Sequence, residues 1–287
     1  MKLVDTILHI TDLNGLTIIL DEGFKPSYAK ETLRKMSIRI AMVSFSNILL
    51  RDWGEDEVIS YGSYGLGFTR EWAIKNNLNP VIYTYEAGEL ETAMEDYLNN
   101  SVLLSRLKGF KKHFAGFTKI GKGKFSDYIK VTNTSKEVIN LADYLSVKYD
   151  EELIEILSAY ANAIFDGTKK IINLTKPYKI IDSEKKERIA YNDREWRKIY
   201  KELDFVVEGS DEYAHWEATK KPHIYDEKFR LNFEIENLKI IVIKEKEDFD
   251  KVLAILLKKH GEKKVRGLID SKNLLIDTKA NLIEQGY

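Results

Sequence analysis

Cysteine is absent from this chain of 287 residues. Its absence excludes a disulfide framework, a zinc site built from thiolates and a cysteine nucleophile. It is typical of proteins from reducing compartments and favours a cytoplasmic location. The hydrophobic fraction of 44% and the aromatic fraction of 11% indicate a chain that folds around a core, because disordered chains contain far fewer aromatic residues.

Long apolar runs and an excess of one charge are also missing. No stretch reaches the roughly 18 apolar residues of a membrane span, and Met1–Asp5 lacks the apolar segment of a signal peptide. The 45 Lys and Arg residues nearly balance the 46 Asp and Glu residues, giving a formal charge of -1. A chain with this balance has no general attraction to nucleic acid or anionic lipid. We therefore expect no membrane partner.

The motifs of several common enzyme classes are not found. No Walker-type phosphate loop is present, and Gly65-Leu66-Gly67 lacks the spacing of a dinucleotide fingerprint. The histidines show no HExxH or comparable spacing, so we predict no metal site.

The apolar pattern predicts an α+β fold with a mixed or antiparallel central sheet and packed helices. A short strand from Ile7 and a helix ended by Gly23 open the chain. Predicted buried strands cover Ile38–Phe45 and Val81–Tyr85, and predicted helices cover Glu86–Leu107 and Glu151–Ile172.

The C-terminal segment has its own pattern. Ile240–Ile243, Asp248–His260 and Val265–Asp270 predict a strand, a helix and a second strand. We expect a main α+β domain at residues 1–235 and a C-terminal extension at 236–287 that packs on it. The polar segment Gly209–Asp226 is a weak linker candidate.

Three groups of residues could form a binding site. Alternation along the first strand puts His9 and Thr11 on one face. Ser44 and Phe45 lie at a strand end, and Tyr61–Phe68 is predicted to be a glycine-rich loop that lines a cleft. Hydroxyls and rings in such places can hold a nucleotide. A structural histidine, an ordinary turn and packing tyrosines are the alternatives.

A fourth group lies in Tyr191–Arg197. If this segment is a strand, Asp193, Glu195 and Arg197 share one face. Two carboxylates beside an arginine could polarise a ribose hydroxyl and stabilise a developing positive charge. A surface ladder of salt bridges is the alternative.

The segment Lys108–Lys124 is basic, with interleaved phenylalanines. Such a segment can bind single-stranded nucleic acid by phosphate contact and stacking. A solvated hairpin is the simpler interpretation, because aromatic residues at this spacing often face a core.

Read in order, several motifs resemble those of the AbiGi family. They are His9-Ile10-Thr11, Glu22–Tyr28, Met42–Phe45, Tyr61–Gly67, Trp72–Tyr83, Lys176-Pro177-Tyr178 (read as a turn) and Arg194–Arg197. The resemblance covers about Leu8 to Arg197. It implies a bacterial abortive-infection protein in phage defence, an antitoxin whose partner is a nucleotidyltransferase-like toxin encoded beside it.

A more distant resemblance is to ADP-ribosyltransferase folds, which share the order of an early His-x-Thr, a middle Ser-Phe with an aromatic loop, and a late acidic strand. It implies NAD as cofactor, with Glu195, His9 and Tyr64 catalytic. It further implies a cofactor pocket of His9, Thr11, Ser44, Phe45, Tyr61, Tyr64, Arg194 and Arg197. Because Arg194 stands between two carboxylates, a nucleotide-sensing module without catalysis is equally compatible.

Three functions therefore remain open. The first is an antitoxin-like partner or nucleotide-sensing module, and the second is an NAD-dependent enzyme that modifies a macromolecule. The third is a nucleic-acid-binding regulator, against which the near-zero net charge and the lack of a helix-turn-helix pattern argue.

Overall fold

A computed structural model of the chain describes residues 6–33, 36–54, 61–86, 88–94, 96, 130–132, 138–140, 151–181, 187–200, 202–203, 206–208, 211–219 and 224–287. The chain forms two compact units. The first is discontinuous in sequence and combines Met1–Glu91 with Asn173–Tyr287, whereas the second is Thr92–Ile172.

Strands and helices are numbered in chain order. The strands are β1 (Thr6–Thr11), β2 (Ser27–Leu33), β3 (Met36–Ser46), β4 (Tyr64–Thr69), β5 (Leu78–Pro80), β6 (Ile82–Thr84), β7 (Lys130–Thr132), β8 (Val138–Asn140), β9 (Thr175–Pro177), β10 (Lys179–Ile181), β11 (Glu187–Ile189), β12 (Glu195–Ile199), β13 (Val206–Val207), β14 (Leu238–Ile243) and β15 (Leu275–Thr278). The helices are α1 (Leu13–Glu22), α2 (Arg70–Lys75), α3 (Glu151–Asn173), α4 (Asp211–Thr219), α5 (Asp248–His260), α6 (Glu262–Asp270) and α7 (Lys279–Glu284). Short 3₁₀ helices cover Leu50–Asp52, Ala190–Asp193, Glu227–Phe229 and Ile235–Asn237.

Nine strands of the first unit form one mixed sheet. Its main path is β15-β14-β4-β1-β3-β12-β5, and β2 and β13 also pair with β3. Every pairing in this sheet is antiparallel except the parallel pairing of β14 with β15. This sheet confirms the predicted α+β fold.

The length of β3 allows it to pair with two strands along each edge. Met36–Met42 pair with β2, and Ser46 pairs with Leu8 of β1. On the other edge Met42–Ser46 pair with β12, while Ile38 and Arg39 pair with β13. The sheet therefore combines strands from before residue 91 with strands from after residue 173, and β12 lies between β3 and β5.

The first strand and helix form as predicted. Asp12 caps α1 by accepting a hydrogen bond from the Gly15 backbone N–H at 2.6 Å. Leu16, Ile19 and Leu20 form the buried face of the helix. Gly23 ends it, with its N–H bonded to the Ile19 carbonyl.

The glycine-rich segment was predicted to be a loop, and this prediction is wrong, because Tyr64–Thr69 is the strand β4 between β1 and β14. A Cβ on Gly67 would lie 2.2 Å from Ile240 Cγ2 on β14. Glycine is therefore required here for close approach of neighbouring strands rather than for a loop conformation. The helix α2 follows β4 directly, and the Thr69 hydroxyl caps it.

The C-terminal segment differs from its prediction in one element. The strand β14 and the helix α5 are confirmed, but Val265–Asp270 lies in the helix α6. The apolar residues Val265, Leu268 and Ile269 have helical spacing and pack on the core. The strand parallel to β14 is β15, further along the chain. The expected boundary between residues 235 and 236 stays a prediction.

Apolar side chains cover both faces of the sheet around β14 and β1. Ile7, Ile241 and Ile243 belong to the larger core, which contains the buried faces of α1 and α5. Their sequence neighbours Leu8 and Val242 point to the opposite face. The buried Leu282 of α7 belongs to this second, smaller core.

Four other segments complete the comparison with the sequence. The predicted helix Glu151–Ile172 is confirmed by α3. Of the predicted helix Glu86–Leu107, residues 89–94 and 96 are helical and residues 86 and 88 are not, while the other residues lie outside the described part of the chain. The predicted buried strand Val81–Tyr85 is shorter, at Ile82–Thr84, and Ile82 is 43% exposed. Lys176 lies on the strand β9 rather than in a turn, and the linker candidate contains the helix α4.

Candidate functional site

A cleft with a volume of about 1190 Å³ lies in the first unit. Polar and ionisable side chains from distant parts of the sequence line it, among them His9, Ser44, Tyr61, Lys176, Asp193 and Glu195. Its volume slightly exceeds the roughly 300–1,000 Å³ of typical small-molecule sites. It is therefore a candidate binding site.

The pairing of β3 with β12 places the central carboxylate. Glu195 is opposite Ser46, and Arg197 is opposite Ser44. Side chains of directly paired residues lie on the same face of a sheet, so these four share one face. The Ser44 hydroxyl donates a hydrogen bond to Glu195 Oε1 at 2.9 Å.

Both oxygens of the Glu195 carboxylate are held in ion pairs. Lys176 Nζ lies 2.6 Å from Oε2, and Arg197 Nε lies 2.7 Å from Oε1. The backbone N–H of Glu195 donates to the Tyr83 hydroxyl at 2.8 Å. The carboxylate therefore has a fixed orientation.

Arg197 is fully buried and joins several chain segments. Its guanidinium also forms an ion pair with Glu31 of β2. The remaining donors reach the backbone carbonyls of Asn173 at 3.2 Å and Thr175 at 3.3 Å. Since arginine presents five donors in a planar fork, one side chain can satisfy acceptors on three segments at once.

Asp193 is the centre of a second group of contacts. It accepts hydrogen bonds from both terminal nitrogens of Arg188, and its Oδ2 lies 3.5 Å from Lys176 Nζ. The Tyr61 hydroxyl accepts a hydrogen bond from Arg188 Nη2 at 2.8 Å. Lys176 thus links the Asp193 group to the Glu195 group. We call the six residues Glu31, Lys176, Arg188, Asp193, Glu195 and Arg197 the charge network.

The prediction of a continuous strand through Asp193, Glu195 and Arg197 is wrong at its first residue. Asp193 ends a 3₁₀ helix, and Arg194 has a left-handed φ of 43° before β12 begins at Glu195. Strand alternation therefore accounts for the shared face of Glu195 and Arg197 only. The bend at Arg194 precedes β12, and the carboxylates on both sides of it contact Lys176.

The electrostatics of the charge network keep its central pair ionised. Burial disfavours the charged form of Glu195, but the positive charges of Arg197 and Lys176 outweigh it and hold the pKa of Glu195 well below its usual range. Burial likewise opposes the charge on Lys176, and Glu195 and Glu31 outweigh it and raise the pKa of Lys176. For Glu31, burial dominates and raises the pKa. Glu195 is thus a fixed anion rather than a proton donor at neutral pH.

His9 lines the cleft from β1. Its Nδ1 lies 2.8 Å from the Ser44 carbonyl oxygen, and since a carbonyl can only accept, we assign the proton to Nδ1. The imidazole packs edge-on against Phe24 at 4.9 Å and Phe45 at 5.5 Å. Burial lowers the pKa of His9, which favours a neutral ring with Nε2 as an acceptor.

The structure brings some predicted site residues together and separates others. His9, Ser44, Tyr61 and Glu195 line the cleft, whereas the described lining does not include Thr11, Phe45, Tyr64, Arg194 or Arg197. The Tyr64 hydroxyl instead donates to Asp248 at 2.7 Å, and burial together with this carboxylate raises the pKa of Tyr64 to about 12. Phe45 belongs to the apolar core. Arg194 lines a separate pocket of about 380 Å³.

Three members of the charge network were not singled out as site residues from the sequence. Lys176 was noted only within a motif, and Glu31 and Arg188 were not noted. Glu31 and Arg197 are 166 residues apart, so no local pattern connects them. In the sequence, Glu31 is notable only as a polar residue on the side of a strand that otherwise carries mainly apolar residues.

Among the described residues, no group of three or more His, Asp or Glu side chains could hold a metal ion. No helix in the described part of the chain is long and apolar enough to cross a membrane. The basic segment Lys108–Lys124 lies outside the described residues.

Comparison with known proteins yields one match. No curated protein and no solved structure matches the chain. One family model matches residues 23–244, and its description reads "Putative abortive phage resistance protein AbiGi, antitoxin". The matched range contains the whole charge network but not β1 with His9. Because the match covers most of the sequence, this chain belongs to the AbiGi family of abortive phage resistance antitoxins.

Proposed function

We propose that this protein acts as an antitoxin by binding directly to a protein toxin, and that the pair takes part in phage defence. The observation that carries this proposal is the family match over residues 23–244. The sequence resemblance described above names a nucleotidyltransferase-like toxin, encoded beside the antitoxin, as the partner. The lack of cysteine is consistent with action in the bacterial cytoplasm.

The chemistry of the charge network supports a binding role. Both oxygens of the Glu195 carboxylate are already paired with cations. A buried carboxylate held in this way stabilises a defined arrangement of strands, and it would have to lose an ion pair before it contacted a substrate. The network therefore suits a rigid support beneath a binding surface better than a proton-transfer site.

A co-expression experiment tests the antitoxin proposal. The toxin candidate encoded beside this protein is induced in a bacterial host with and without the full-length chain. We expect the chain to restore growth and to co-purify with a tagged toxin. The proposal fails if the chain accumulates in soluble form, yet neither relieves growth arrest nor binds the toxin.

NAD binding is a second candidate function, favoured by the position of His9, Tyr61 and Glu195 in one cleft. The ring of Tyr61 and the acceptor of His9 are groups that could contact a nucleoside. Six carboxylates and three lysines line the cleft, which works against a pyrophosphate. We therefore assign no catalytic step to NAD.

Two measurements on the purified protein decide the NAD candidate. If NAD binds, it should raise the melting temperature of the wild type, and labelled NAD incubated with lysate would reveal any transfer. The Glu195→Gln variant should lose transfer if Glu195 is catalytic. Unchanged melting and no transfer of label would eliminate this candidate without affecting the antitoxin proposal.

A further inference from the structure

Two tyrosines that line the cleft belong to a stack of three tyrosine rings. The rings of Tyr85 and Tyr178 lie 4.7 Å apart with an interplanar angle of 27°. Tyr191 continues the stack on Tyr178 at 5.7 Å and the same angle. Tyr85 and Tyr178 line the cleft, and Tyr85 is 65% exposed. We call these three residues the tyrosine wall. The Tyr85 ring stacks on Tyr178 with one face, and its other face is suited to a flat or cationic partner.

The parallel pairing of β6 with β9 creates this wall. Thr84 pairs with Pro177, so Tyr85 and Tyr178 follow directly after paired residues. The Tyr178 N–H donates to the Thr84 carbonyl oxygen at 2.7 Å, and this hydrogen bond fixes the ends of the two strands relative to each other. The position of the rings is therefore set by backbone pairing.

The side chain of Thr84 adds an unused polar group beside the wall. Thr84 is only 3% exposed and lines the cleft, but its hydroxyl has no hydrogen-bond partner among the described residues. Buried hydroxyls are normally hydrogen-bonded, because leaving one unpaired costs free energy. The Thr84 hydroxyl is therefore available to pair with a polar group of a ligand beside the tyrosine wall.

The charge beside the wall is negative. Glu86 follows Tyr85, lines the cleft, is exposed and forms no ion pair with any described residue. The lysine next to Tyr178 is Lys179, which is paired with Glu187 at 2.7 Å. Six carboxylates and three lysines line the whole cleft. If Arg188 and Arg197, which lie behind the lining, are counted as well, the negative charges still outnumber the positive ones. An anionic ligand is therefore disfavoured.

From these observations we infer that the tyrosine wall, Thr84 and Glu86 bind an arginine side chain of a protein partner. A guanidinium is planar and stacks on aromatic rings, and it donates in several directions to a hydroxyl and a carboxylate. The compact ammonium of a lysine would use the ring faces less well. This inference rests on the proposed function in so far as the partner is the toxin.

The inference is tested on the full-length protein with a defined probe. The probe is arginine with its backbone capped as acetyl and N-methylamide, and binding is followed by NMR shifts of the tyrosine ring signals. Capped citrulline has the same shape without the charge, and we expect it to bind at least about tenfold more weakly. Capped lysine should fall between the two. Equal binding of arginine and citrulline would overturn the inference.

Substitutions locate the site. Tyr85→Ala and Glu86→Gln should each weaken arginine binding several-fold, because one removes a ring face and the other a charge. Tyr225→Ala is the matched control, since Tyr225 is 64% exposed and does not line the cleft. Arginine binding that is unchanged in both cleft variants would overturn the inference. Tighter binding of spermidine than of any arginine peptide would identify a small polyamine instead, and would also overturn it.

Measurements with the toxin separate this inference from the proposed function. If the wild type binds the toxin and Tyr85→Ala and Glu86→Gln bind it equally well, the inference fails and the antitoxin function stands. If the wild type does not bind the toxin, the antitoxin proposal fails, and the capped arginine decides the inference by itself. Weaker toxin binding by both cleft variants, with normal binding by Tyr225→Ala, supports both.

Discussion

At the scale of single residues, Arg197 is the side chain on which the arrangement of the candidate site most depends. It is completely buried, yet it contacts Glu31, Glu195 and two backbone carbonyls. A buried cation of this kind adds little net stability compared with a well-packed apolar residue, but its loss leaves two carboxylates without their partner. The charge network is thus sensitive to removal of any one member.

We predict that Arg197→Met destabilises the protein by about 3–5 kcal/mol, because Glu31 and Glu195 remain buried without this counterion. Equilibrium unfolding in urea measures the change. Lys179→Met is the matched control, since the Lys179–Glu187 pair is more than half exposed and should contribute less than about 1 kcal/mol. Similar losses in both variants would contradict this account of the network.

The stability of the protein should also depend on pH through Glu195. The pKa of Glu195 is lowered in the folded protein from its ordinary value of 4.5. A carboxyl group with a lowered pKa stabilises the fold above its unfolded pKa, and this contribution is lost as the pH falls toward the folded value. The stability difference between wild type and Glu195→Gln should therefore shrink below about pH 4.5.

Urea unfolding of both proteins at neutral and acidic pH measures this difference. Burial raises the pKa of Glu31, so its own contribution has the opposite pH dependence, but Glu31 is present in both proteins. If the stability difference between wild type and Glu195→Gln stays constant through the acidic range, the Glu195 carboxylate is not stabilised by its ion pairs.

Four of the nine residues predicted for the site line the cleft. His9, Ser44, Tyr61 and Glu195 were chosen because their residue types and strand positions suit a cleft, and they do share one. The residues Lys176, Arg188 and Glu31 were missed as site residues. Their importance comes from partners far away in the sequence, and neither spacing nor composition contains that information.

At the scale of elements, the strand β4 shows how a glycine-rich segment can be mistaken for a loop. Glycine permits loop conformations, but it also leaves space where a neighbouring strand carries a large side chain. The distinction depends on which residue is opposite. Ile240 lies against Gly67, and no feature of residues 61–68 reveals this.

We predict that Gly67→Ala destabilises the protein by about 1–3 kcal/mol, because the new Cβ would overlap with Ile240 and Thr6. Gly267→Ala provides a control of opposite sign. Gly267 is an exposed residue inside α6 with nothing within 4 Å of the added carbon. There the substitution should stabilise by about 0.5–1 kcal/mol through better helix propensity. Thermal unfolding of both variants tests the pair of predictions.

The error at Val265–Asp270 has a related cause. Its apolar residues are compatible with a strand as well as with a helix when the segment is read alone. The helix forms because Val265, Leu268 and Ile269 then lie on one helix face, which packs against the core. The strand that pairs with β14 is supplied later, by β15.

At the scale of the whole molecule, the first unit depends on both ends of the sequence. β14 lies between β4 and β15, and its residues Ile240, Ile241 and Val242 are completely buried. The C-terminal residues therefore contribute an inner strand of the main sheet. This bears on the expected boundary at residue 235, which a truncation can test.

We predict that a fragment of residues 1–235 does not fold cooperatively. Without β14, one edge of β4 would be unpaired. Leu66 and Phe68, which are fully buried in the full chain, would become exposed. Circular dichroism and thermal unfolding of the fragment and the full chain provide the comparison. If the fragment unfolds cooperatively at the same temperature as the full chain, residues 236–287 form a separate extension after all.

The sequence by itself determined the fold class, the opening strand and helix, and the long helix α3, because these follow from local periodicity and from capping at Asp12 and Gly23. It also determined membership of the AbiGi family, since ordered motifs are a property of the sequence. Only the tertiary structure decided which charges meet. Lys176, Arg197 and Glu31 are joined by strand pairing over long sequence separations, and the favourable energy of such contacts arises only when those strands are assembled.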